Sequence, residues 1–164
     1  MAFTIGKNTF VHADVIAKLK PREGPNAGQP FTIRACDKLE AKSNGKAIAM
    51  KGNLIVPVAV EMADAEPSFS LGLSVAQVSI DYAEHCGQGA KRMKHDITVT
   101  MTRPGLQPVT WILDGCVIEN GFDLMSAAGE NVKDEFSGKM RDLRLKYKGV
   151  EYDLFKLPGG VTLQ

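Results

Sequence analysis

The sequence predicts a mainly-β fold with one α-helix: curved antiparallel sheets forming a sandwich or barrel-like body, with a flanking helix and long loops. Three observations carry that prediction. Residues 95–103, HDITVTMTR, alternate without a fault, with Ile97, Val99 and Met101 on one face and Thr98, Thr100 and Thr102 on the other. Residues 66–74, EPSFSLGLS, alternate in the same way and turn Phe69, Leu71 and Leu73 inward. The period then changes. Val75, Val78 and Tyr82 fall on one helical stripe, Ser74 and Gln77 have capping-box spacing, and Gly87 supplies a left-handed stop. This predicts a helix over 75–86.

The remaining elements read as strands between Gly and Pro punctuation. ADVIAKLK (13–20) and FTIRACDK (31–38) are predicted strands. PREGPNAGQP (21–30) joins them as a long, exposed, turn-rich loop. KAIAMKGNLIVPVAVEM (46–62) reads as a short strand, a Gly-Asn turn and a longer strand interrupted by Pro57. Proline donates no ladder hydrogen bond, so that strand belongs at an edge or a bulge. An apolar edge must be covered or paired by a neighbouring chain. PVTWILDGCVIE (108–119) pairs back on the threonine strand as a hairpin, with Gly115 marking a bulge or bend. A second long loop follows over 120–134. In EFSGKMRDLRLKYKG (135–149), Phe136 and Met140 hold one parity and Leu143, Leu145 and Tyr147 the other. The slip near Arg141–Asp142 predicts a bulge or a strand that changes sheets. VEYDLFKL (150–157) closes a single domain over 1–157, and 158–164 is read as a C-terminal tail.

The totals bound the function. The 164 residues are 44% hydrophobic and 24% charged, with a formal net charge of +1. That balance buries a core and does not suit a broad electrostatic trap for nucleic acid. It does suit dense packing against copies of the same chain. No secretory leader and no apolar run of membrane-spanning length is read from the sequence, so no membrane partner is expected. Cys36, Cys86 and Cys116 are widely spaced and read as reduced, buried thiols.

Chemistry is mostly missing from the sequence. Asp81 and His85 stand four apart on the predicted helix, but two ligands are not a metal site. No phosphate loop, dinucleotide fingerprint, nucleophile elbow or Cys-x-x-Cys is present. The expectation is a protein that is not an enzyme and uses no cofactor, metal or catalytic residue. Charge does segregate locally. Glu61, Asp64 and Glu66 precede the helix, and Lys91, Arg92 and Lys94 follow it. The basic group suits the helix dipole, or the two groups are opposite rims on which copies stack head to tail; a nucleic-acid patch ranks last, because no interleaved aromatics or binding module accompany it.

The stretches GNLIVPVAVEMADAEPSFSLGLSVAQ, DITVTMTRPGLQPVTWILDGCVIENGF and EFSGKMRDLRLKY, in that order, resemble the tail tube proteins of bacteriophages, particularly those with contractile tails. That family is related in fold to the haemolysin-coregulated tube proteins. The likeness covers about residues 30–157. It implies a tail-tube fold whose subunits form hexameric rings, stacked into a hollow tube that conducts viral DNA. It also implies partners: other copies of the chain, sheath, baseplate or initiator, and tail terminator proteins. The location implied is the virion tail, assembled in the bacterial host cytoplasm.

On that reading Thr98, Thr100 and Thr102 face the lumen. Candidate contacts between subunits or rings are Arg22, Glu23, Asn26, Pro57, Glu61, Asp64, Glu66, Lys91, Arg92, Lys94, Asp123 and Glu130. A wall that passes DNA is expected to be polar and to bind phosphate weakly. The alternatives are a soluble β-barrel or sandwich module binding a ligand through its long loops, and an enzyme using Asp81, His85 and Cys86.

Overall fold

A computed structural model describes residues 10–33, 36–50, 59–62, 65–73, 75–124 and 126–155. Pro57, Asp64, Ser74 and the 158–164 tail lie outside these residues.

A 3-10 turn at His12–Asp14 leads into β1 (Val15–Pro21), which pairs antiparallel with both β2 (Phe31–Ile33) and β7 (His95–Met101). β7 forms the expected hairpin with β8 (Val109–Asn120). β8 is long enough to serve two sheets. Its first half pairs with β10 (Asp142–Tyr147), which pairs in turn with β11 (Val150–Asp153). Its second half pairs with β9 (Asp134–Lys139), followed by β6 (Ser68–Leu73) and β3 (Cys36–Lys42). The nine strands wrap the core without closing into a barrel. β4 (Ala47–Met50) and β5 (Ala59–Met62) pair only with each other among the described residues.

The switch in β8 has a local cause. His95 stands opposite Cys116, whereas Ile97 stands opposite Leu113, so Asp96 faces two residues, Asp114 and Gly115. Gly115 takes the extra residue at φ 63°, a left-handed conformation that costs glycine little. Beyond this bulge β8 bends from one sheet into the other. Gly138 of β9 permits the crossing, because a Cβ there would land on the Val117 carbonyl oxygen.

Two expectations are corrected. The 31–38 segment is two strands, since β2 pairs with β1 whereas β3 pairs with β6. The helix α1 spans Gln77–Cys86, starts behind Ala76 and has no side-chain cap there. Its buried positions are Ser79, Tyr82 and Cys86, and Val75 is exposed. Of the stripe read from the sequence, Tyr82 is buried and Val78 packs against the core, whereas Val75 lies ahead of the helix. Gly87 does end the helix, at φ 78°, with its N–H donating to the Ala83 carbonyl. The slip near Arg141–Asp142 is where the chain leaves β9 in one sheet for β10 in the other.

Leu19, Ile33, Leu71, Leu73, Ile97, Leu113 and Phe136 fill the core, and α1 closes one side by inserting Tyr82. The Tyr82 hydroxyl lies 2.7 Å from Nδ1 of His95, which is 0% exposed, and His95 Nε2 lies 3.1 Å from the Ala90 carbonyl. A carbonyl only accepts, so Nε2 carries the proton and Nδ1 accepts from the tyrosine. Burial pulls the His95 imidazole below its ordinary value and pushes the Tyr82 phenol up.

Candidate functional site

The threonine strand has a polar outer face, and its neighbours extend it. Across the sheet, Lys18 stands opposite Thr98, Thr98 opposite Ile112 and Ile112 opposite Arg144. The adjacent row runs Thr100, Thr110, Lys146 and Glu151. These rows form a hollow of about 950 Å³, lined among others by Lys20, Thr98, Thr100, Thr110, Arg144 and Lys146. Thr98 and Thr100 are thus on one polar concavity. Thr102 lies just past β7, where its N–H donates to the Asp14 carbonyl.

A network of ions anchors the foot of the hollow at the bulge. Arg22 grips Asp96 through Nε and Nη2, the latter at 2.7 Å, and also pairs with Asp114. Arg141 reaches Asp114 at 2.9 Å, and Arg144 reaches Glu151 at 2.6 Å. Asp96 also accepts from the Gly115 N–H at 3.1 Å. Burial pushes the Asp96 carboxyl up, but the Arg22 and Gly115 hydrogen bonds outweigh it and leave it below the usual range. Asp142, half-buried beside Asp153, is raised, first by burial and then by that neighbour. No sequence motif marks this cluster, because its members are 74 and 92 residues apart and only the bulge brings them together.

The opposite face of the same sheet is apolar and incompletely covered. Val99, Trp111, Leu145 and Tyr152 form one row across it. Val99 is 2% exposed under the second sheet, whereas Tyr152 is 49% exposed on β11. Tyr147 and Val150, paired beside that row, are exposed as well. A groove of about 310 Å³ runs between the sheets here, lined by Val15, Leu39, Ala41, Val99, Met101 and Trp111. The outer edge of β11 has no partner strand among the described residues.

The other candidate contact residues are dispersed. The 21–30 loop folds onto the end of α1: Asn26 Nδ2 donates to the His85 carbonyl at 2.9 Å, and His85 Nε2 donates to the Gln29 carbonyl at 2.8 Å. Arg22 and Asn26 are thus engaged within the chain, whereas Glu23 is exposed. Lys91 donates to the Glu119 and Gly121 carbonyls at 3.0 and 3.1 Å, while Arg92 and Lys94 are exposed. Glu66 pairs with Lys139 at 3.1 Å, Asp123 accepts from the Gly121 N–H, and Glu130 lies in the exposed 120–134 loop. Glu61 falls on β5.

The residues considered for chemistry do not converge. Asp81 accepts from Gln77 at 2.8 Å, while His85 is held by the loop. Cys86 and Cys116 are buried, and burial pushes both thiols up, the opposite of nucleophile activation. Among the described residues no group of three or more His, Cys, Asp or Glu could hold a metal ion. None of their helices is long and apolar enough to cross a membrane.

The fold is an open, nine-stranded antiparallel wrap with one flanking helix and an overhanging hairpin. It is similar to a chain in a cryo-EM structure of the anti-feeding prophage (AFP) baseplate, 6-fold symmetrised, with a TM-score of 0.53 at 12% identity. The match covers 85% of this chain and 97% of that one. No family model and no curated protein matches the sequence.

Proposed function

We propose that the protein is a structural subunit of a phage-tail-like particle, joined to copies of itself through its open sheet edges. The observation that carries this reading is the β10–β11 overhang. It extends an apolar sheet face past its own core and ends in a strand whose four residues are all exposed. Such an edge is a hazard for a monomer and an asset for a subunit. The fold shared with a baseplate chain supports the same class of role.

In its finer form the reading is a tail tube: hexameric rings, stacked and hollow, with the Thr98–Thr100 face turned to the lumen and viral DNA passing through. A head-to-tail contact that closes on itself yields a ring, and many weak joints along a tube add up. Sheath, baseplate and terminator proteins are the partners this form requires.

Negative-stain microscopy of the purified chain tests the proposal. Rings or tubes are expected, and they should vanish in a Val150→Glu/Tyr152→Glu variant that melts like the parent. A strict monomer at high concentration and at every salt sinks the reading. The second reading, a small-ligand module, is favoured by the apolar groove at Trp111, whose volume is at the lower end for ligand pockets. It requires a stable monomer whose ligand binding is lost in Trp111→Ala.

A further inference from the structure

We infer that Asn44 is a self-modifying site, whose side chain the backbone nitrogen of Gly45 attacks. Loss of the carboxamide then unfastens the β4–β5 hairpin from the main sheet. The sequence holds two Asn-Gly pairs, Asn44–Gly45 and Asn120–Gly121. By sequence they have equal standing, because in each the glycine carries no Cβ to hinder its approach to the preceding side chain. The structure separates them.

Asn44 stands in the 43–46 segment between β3 and β4, exposed and at φ 51°, a left-handed conformation that asparagine tolerates. Among the described residues the Gly45 N–H makes no hydrogen bond, so none is lost when its nitrogen turns on Asn44 Cγ. Asn120 is the opposite case. It ends β8 in register with Ser137. The Gly121 N–H donates to Asp123 at 3.2 Å, and the Gly121 carbonyl accepts from Lys91 at 3.1 Å. Gly121 is buried, with Phe136 where a Cβ would point. Cyclisation there requires the strand end to open first.

The Asn44 carboxamide is a clasp. Its Nδ2 donates to the Glu66 carbonyl at 2.9 Å and to the Ser68 hydroxyl at 2.7 Å, at the start of β6. β4 and β5 pair only with each other among the described residues, so this tie at the root bears on how the hairpin is held. The reaction needs only water. The Gly45 nitrogen bonds to Asn44 Cγ and gives its proton to solvent. The Cγ–Nδ2 bond breaks, and the nitrogen leaves as ammonia with a proton taken from solvent. Water then opens the cyclic imide at either carbonyl. Opening at Cγ leaves an aspartyl residue, and opening at the backbone carbonyl leaves an isoaspartyl residue with the chain rerouted through the side chain. Both products carry a carboxylate in place of the carboxamide. The Ser68 hydroxyl can turn and donate to a carboxylate, but the Glu66 carbonyl only accepts, so half of the clasp is lost.

The test incubates the full chain in mildly alkaline buffer and maps its peptides by mass spectrometry over time. Conversion at Asn44 should run at least ~10-fold faster than at Asn120 in the folded chain, and the two rates should converge in urea. Gly45→Ala should slow conversion at Asn44 at least ~10-fold and leave Asn120 unchanged. The consequence is read by hydrogen exchange. In Asn44→Asp the β4 and β5 amides should exchange at least ~10-fold faster than in the parent, with β7 and β8 unchanged. The converted fraction of aged parent, separated by ion exchange, should show the same change and serves if the variant does not fold.

Conversion at Asn120 that keeps pace with Asn44 in the folded chain overturns the inference, as does an unchanged rate in Gly45→Ala. Unaltered exchange of β4 and β5 in the converted protein also overturns it, because the side chain is then no clasp. No readout depends on self-assembly, so the result is independent of the tail-like reading.

Discussion

Removing one oxygen atom, in Tyr82→Phe, tests the account of the core most sharply. The Tyr82 hydroxyl is the donor that satisfies Nδ1 of His95, at 2.7 Å, in a site where both residues are 0% exposed. The loss leaves a buried acceptor without its donor, at a cost of about 1–3 kcal/mol. For a chain of this length, ~2 kcal/mol lowers Tm by roughly 4–8 °C. Urea unfolding followed by tryptophan fluorescence measures the free energy directly, and calorimetry gives Tm. The same pair sets a pH dependence. His95 has its folded pKa below the unfolded ~6.5, so the unfolded chain binds the extra proton first. Stability from this group is complete above pH ~6.5 and falls as pH drops toward the folded value, by at most ~1.4 kcal/mol per pH unit. His95→Gln should remove that slope. A Tyr82→Phe variant as stable as the parent, or parallel pH curves for the parent and His95→Gln below pH 6.5, would refute the reasoning.

Three further outcomes are expected. Gly138→Ala should prevent folding or cost more than ~4 kcal/mol, because the new methyl meets the Val117 carbonyl; Gly149→Ala, where nothing lies within 4 Å but φ is +77°, should cost only about 1–2 kcal/mol in the same urea assay. Asp96 has a depressed folded pKa, so its contribution is present above the unfolded pKa of ~3.9 and is lost as pH falls through the folded value; Arg22→Gln should shrink the acid-unfolding response in that window, read by circular dichroism. Cys86 and Cys116 should react with an aromatic disulfide reagent only at the rate of unfolding, and adding urea should release both at once.

Much of the fold was legible because β-structure writes itself as alternation. Ile97 and Val99 on β7 and Phe69, Leu71 and Leu73 on β6 are buried as their parity predicted, Met101 is half-buried, and the break at Arg141–Asp142 marks a real change of sheet. The start of α1 was read two residues early: the helix begins behind Ala76, and the Gln77 side chain, expected in a capping box, donates to Asp81. The split of 31–38 was invisible because each half alternates acceptably, and only the choice of partner strand separates them.

The sequence by itself determined the parity of β6 and β7, the glycine stop of α1 and the polar character of the threonine face, all local properties of side chain and backbone. Tertiary structure alone decided which strands are neighbours. It therefore decided that Arg22 meets Asp96 and Asp114, that Lys20, Lys146 and Lys148 line one hollow, and that β11 overhangs the core. The reason is that pairing register and the Gly115 bulge act between segments far apart in the chain, where a one-residue shift moves every side chain to the opposite face.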